Sequence, residues 1–68
     1  MTEFKQFARK KIQALVYLHA VHVKNVTGFE INQEREQKRL YNDWVAGLIT
    51  LEDIQDDINE YLKMKTRD

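Results

Sequence analysis

The stretch LVYLHAVHVKN, Leu15–Asn25, decides the fold. Its first nine residues are apolar except for His19 and His22, inside a chain of which 32% is charged. The β-branched residues Val16, Val21, Val23 and Val26 leave a strand over residues 15–23 open. The period favours a helix. At about 100° per residue, Phe4, Phe7, Ala8, Ile12, Leu15, Val16, Leu18, Val23 and Val26 share one broad side, with Gln6, Arg9, Lys10, Gln13 and Lys24 opposite. That pattern runs unbroken back to Phe4 and gives a helix over about residues 2–26. Thr2 is placed to cap it, and Glu3 falls in its first turn.

The apolar arc is wider than one core face requires. With Ala14 and Val21 included it passes half the circumference. Within the long stretch, Leu15, Val16, Leu18 and Val23 are expected to face the core, with His19 and His22 at its edge. Tyr17 and Val21 lie on the opposite flank, where a partner or a second copy would cover them, and Lys24 joins that surface. His19 and His22 are three apart and could in principle share a metal. Bundle metal sites add carboxylates at helical spacing, however, and this helix has no acid after Glu3. Packing histidines and no metal are expected.

Downstream, NVTGFEIN breaks the helix at Gly28, with Phe29 and Ile31 expected to tuck into the core. Asn32 caps a second helix, about 33–46, whose stripe is Leu40, Tyr41, Trp44, Val45 and Leu48. The junction AGLITLEDI then carries dense local information. Gly47 ends the second helix, Thr50 caps the third, and Asp53 can return a bond to the cap amide. Ile49 and Ile54 form a hydrophobic staple. The third helix, about 51–64, buries Leu51, Ile54, Ile58, Tyr61 and Leu62. Acids crowd its start and Lys63, Lys65 and Arg67 its end, as the helix dipole prefers.

The fold expected is all-α, a compact three-helix protein in one domain, residues 1–68, with a hairpin of helices two and three packed on the long first helix. A core this small contributes only about 3–5 kcal/mol of net stability. No cysteine is present to add disulfides or thiolate metal sites. The chain therefore relies on packing, self-association or a partner.

Charge narrows the function classes. Residues 3–24 hold Lys5, Arg9, Lys10, Lys11 and Lys24 against Glu3 alone, while residues 50–68 hold six acids against three bases. The simplest reading is that these blocks attract one another within the bundle or across a dimer. Lys5, Arg9, Lys10 and Lys11 are also the candidate phosphate contacts of a nucleic-acid accessory protein. A DNA-reading helix three is disfavoured by Glu52, Asp53, Asp56 and Asp57 at the end that would enter the groove. The apolar run is too short for the ~20 residues of a membrane span and lacks a small-residue cleavage site. A soluble, cytoplasmic chain without membrane association is expected. With no cysteine, no serine and no glycine-rich phosphate loop, neither catalysis nor a cofactor is expected.

From Val23 to Leu62, the helix end, TGFEIN, an acid-rich helix and WVAGLITLEDI together resemble the VbhA-like small antitoxins of Fic-domain toxins. The resemblance implies a three-helix fold and inhibition of a partner enzyme. That family's inhibitory motif is Ser or Thr, three residues, then Glu-Gly; the matching positions before Gly28 are Val23 and Thr27. The GLITLEDI junction is also similar to short C-terminal oligomerisation modules of bacterial proteins. The function expected is thus a small non-enzymatic protein-interaction module, a regulator or inhibitor of phage, plasmid or bacterial type, with a homodimer or a foreign partner; the alternative is the nucleic-acid accessory role.

Overall fold

The computed structural model describes residues 2–66, and the side chains of residues 3–64. Three helices occupy it: α1 (Thr2–Thr27), α2 (Gln33–Val45) and α3 (Leu51–Thr66), with no strand among the described residues. The expected Thr2 cap and the cationic closing residues Lys65 and Arg67 lie outside the described side chains.

The helix ends are set by the local chemistry of a few residues. Asn32 Oδ1 accepts the Arg35 amide at 3.1 Å, supplying one of the acceptors that a helix start lacks. At the third helix, the Asp53 amide donates to Thr50 Oγ1 at 3.0 Å. The Thr50 amide returns a bond to Asp53 Oδ2 at 3.1 Å. This reciprocal capping box starts α3 at the junction where the sequence places it. Between the two, Gly47 takes φ +81°. Its amide donates to the Trp44 carbonyl at 3.1 Å, and the Leu48 amide reaches back to Asp43 at 2.9 Å. These two bonds form the Schellman close of α2.

Contact partners fix the directions. Trp44 stacks near Phe4 while Arg9 lies over Tyr41, so α2 runs against α1. Lys11 bonds Gln55 and His19 bonds Tyr61, so α3 runs along α1. The main packing is of α1 against each of the other two helices. Its residues Ala8, Ile12, Leu15, Val16 and Ala20 are buried, joined by Ile54 and Ile58 of α3. α2 buries no residue fully; Leu40, Tyr41 and Trp44 close the core from the side, as Ile49, Leu51 and Tyr61 do elsewhere.

Several apolar residues expected inside lie outside. Phe29 and Leu48 are each 74% exposed, and Phe4, Phe7, Val26, Val45 and Leu62 are also exposed. Length explains part of this. At 1.5 Å per residue α1 is about 39 Å long, whereas α2 and α3 reach only about 20 and 24 Å. Val26 lies on the last turn of α1 beyond the cover of its neighbours; Phe4 is covered only on the side where Trp44 stacks, and Phe7 lies on the side of α1 turned away from α2 and α3. Phe29 is held outward by a different cause: its amide donates to Thr27 Oγ1 at 3.1 Å, and Thr27 in turn donates to the Val23 carbonyl at 2.8 Å. Leu48 sits on the left-handed turn itself, and Val45 on the last turn of α2.

Candidate functional site

With α2 and α3 on one side of α1, the opposite side is bare except near its C-terminal end, where Glu30, Ile31 and Gln33 border Val21 and Lys24. Phe7, Ala14, Tyr17 and Val21 are exposed there, Tyr17 by 56% and Val21 by 37%, alongside exposed Lys10 and Lys24. Tyr17, Val21 and Lys24, the residues expected to meet a partner, therefore share one uncovered face. Lys24 makes a 3.6 Å ion pair with Glu30 in the following loop. Both groups are solvated, so that pair is a weak tether.

The basic residues of α1 do not form one patch. Arg9 turns toward α2, its guanidinium 5.0 Å from the Tyr41 ring centre. Lys11 turns toward α3, hydrogen-bonded to Gln55. Lys10 points away from both, on the bare face, while Lys5 falls on the core side of the helix near its N-terminal end, where it is exposed. None of the four forms an ion pair among the described residues. Among the described residues the expected attraction between the basic and acidic blocks inside the bundle is thus not made through direct ion pairs: Lys11 bonds the Gln55 amide, and the acids of α3 are exposed.

No family model, curated protein or solved structure matches the chain.

A second cluster lies in the cleft between α2 and α3. His19 Nδ1 and the Tyr61 hydroxyl are 2.7 Å apart; when the ring carries its proton on Nε2, the hydroxyl donates to Nδ1. His22 packs beside the same ring, centroids 5.6 Å apart. Glu36 and Arg39 form the opposite wall, joined at 2.7 Å. That bond from Arg39 holds the Glu36 carboxyl below the usual carboxylate range, against a smaller opposing effect of burial. Burial raises the Tyr61 hydroxyl above its ordinary value, and Asp57 adds to the rise. His19 and His22 are half-buried at the core edge. Among the described residues no group of three or more His, Cys, Asp or Glu could hold a metal. Nor is any described helix long and apolar enough to cross a membrane.

This cluster was not foreseeable from spacing. His19 and Tyr61 are 42 residues apart, and Tyr61 reads in sequence as one more core residue of α3. It predicts an alkaline weakness. A folded-state value above the unfolded one stabilises below about pH 10, and that contribution disappears as pH rises through the folded value. Urea unfolding from neutral to strongly alkaline pH should show stability falling above about pH 10. Tyr61→Phe should flatten that fall while costing about 0.5–1.5 kcal/mol at neutral pH through loss of the His19 bond. An unchanged alkaline limb in the variant would assign the effect elsewhere.

Proposed function

We propose that this chain is a small non-enzymatic protein-binding module, a regulator or inhibitor of what it binds, and that its contact surface is the outer face of α1. One observation carries the reading: Phe7, Tyr17 and Val21 lie uncovered on the side of α1 opposite its core. Exposed apolar surface grouped on one face marks an interaction site more often than singly scattered residues do. An antitoxin-like role fits such a surface. A toxin-directed Glu–Arg pair is not part of the proposal, because Val23 and Thr27 occupy the motif positions and Thr27 braces the backbone with its hydroxyl. A nucleic-acid role is less well supported, since Arg9 and Lys11 are drawn to opposite sides of the helix.

The test is the double variant Tyr17→Glu, Val21→Glu. Each site is exposed, so the melting temperature should move by only about 2–4 °C per substitution. Association with protein should be lost, because two carboxylates would have to be desolvated at the contact. Wild type and variant, immobilised in parallel, are compared for every protein retained, the chain itself included. Identical retention by both, in a folded variant, would remove the proposal.

A further inference from the structure

On the bare side of α1, the exposed residues recur at alternating steps of four and three: Phe7, Lys10, Ala14, Tyr17, Val21 and Lys24. This is the a/d spacing of a coiled-coil seam. At about 100° per residue its midline falls diametrically opposite the buried row of Ala8, Ile12, Leu15, Val16 and Ala20. The helix thus carries two seams, one filled by α2 and α3 and one empty. We propose that the empty seam is filled by the same seam of a second copy, running antiparallel. This rests on the reading of the outer face as the contact surface and names its occupant.

The side chains select both partner and direction. In an antiparallel pair, each a position lies level with a d position of the other helix. Matching the whole row against itself sets Ala14 beside Tyr17 of the second copy, large against small, twice about the axis. Val21 then meets the aliphatic stem of Lys10, and Phe7 meets the stem of Lys24, which can cover the part of the ring that the Lys11 ammonium leaves free. Within the row no cation is level with a cation; along the borders Gln6, Gln13 and Asn25 are uncharged, and Lys11 sits beside Phe7 with its ammonium 5.6 Å from the ring centre. The weak, solvated Lys24–Glu30 pair does not hold Lys24 back. A parallel pair does the reverse: Lys10 opposes Lys10, Lys24 opposes Lys24, and Ala14 against Ala14 leaves a gap between two large layers. The row is self-complementary only when one copy is inverted.

Six layers on one helix make an interface at the small end of the specific range, so a dissociation constant on the order of 10–100 µM is expected. Sedimentation equilibrium up to about 1 mM, well above that range, should show a monomer–dimer equilibrium. Ala14→Glu, on an exposed position, should weaken it at least tenfold without loss of helicity, by placing a carboxylate against Tyr17. Direction is read with single cysteines, since the chain has none of its own. Positions 7 and 24 lie about 25 Å apart on the helix. Copies carrying Phe7→Cys should cross-link to copies carrying Lys24→Cys, and neither variant to itself. Self-linking at both positions, or a dimer indifferent to Ala14→Glu, overturns the proposal. A strict monomer at 1 mM does so too. If that monomer still binds another protein in a Tyr17- and Val21-dependent way, the contact-surface reading survives and only the second copy is excluded.

Discussion

Ile54→Ala should bring the protein to the edge of unfolding at 25 °C. Ile54 is 1% exposed and packs with Ile12, Leu15, Val16 and Ile58 in the cluster that joins α3 to α1. Truncating a buried isoleucine to alanine costs about 2–5 kcal/mol, through lost transfer energy and the cavity left behind. A core of this size leaves a net margin of only about 3–5 kcal/mol. The two ranges overlap, so one substitution consumes most of the stability. Few neighbours can collapse into the space, because α2 contributes only half-buried side chains to the cluster. Circular dichroism and urea titration measure the effect. Leu48→Ala is the matched control: the residue is 74% exposed, and its loss should shift stability by no more than about 0.5 kcal/mol. Both variants are compared at one protein concentration, since self-association would make apparent stability concentration-dependent. An Ile54→Ala protein that melts with the wild type would mean that the α1–α3 contact is not the centre of the core.

The contrast between Ile54 and Leu48 also marks where sequence reasoning stops. Both are aliphatic residues close to one turn, and both read as buried by helical period. What separates them is Gly47. Ile54 follows a capping box that fixes the start of its helix, so its direction is set by groups within four residues of it. Leu48 sits where the chain has left the helix, and its exposure depends on how far α2 reaches along α1, a fact of tertiary length. Phe4 and Val26, near the two ends of α1, fail in sequence for the same reason: periodicity assigns a side, not an end; Phe7 falls on the side that α2 and α3 leave open. The caps, stops and helix order are local and could be read directly. The His19–Tyr61 bond could not, since it joins residues on two helices whose register only packing determines. The bare seam was half legible. Tyr17 and Val21 stand out from the period alone, but that the whole row from Phe7 to Lys24 is uncovered follows only once α2 and α3 are seen to share the other side of α1.

Gly47→Ala should cost about 1–2 kcal/mol and lower the melting temperature by about 5–15 °C, although alanine is the better helix former. Gly47 sits at φ +81°, in the left-handed region where a Cβ crowds the carbonyl oxygen that follows. A Cβ added there meets nothing else within 4 Å, so the loss is one of backbone conformation and not of space. Gly47→Asn should therefore retain part of the stability, asparagine being the side chain that best tolerates this conformation after glycine. Gly28 has the same φ, and its surroundings are equally open. Its replacement should still cost less, for what comes after it is looser: Phe29 and Glu30 are exposed and can absorb a shift in the chain. After Gly47 the chain has no such slack, because Ile49 packs on the core cluster and Thr50 is locked to Asp53. Strain at Gly47 is therefore passed to the docking of α3, and through Ile54 to the core. Calorimetry of Gly47→Ala, Gly47→Asn and Gly28→Ala should rank them in that order of loss. Equal losses at the two glycines would show that α3 docks independently of the turn that delivers it.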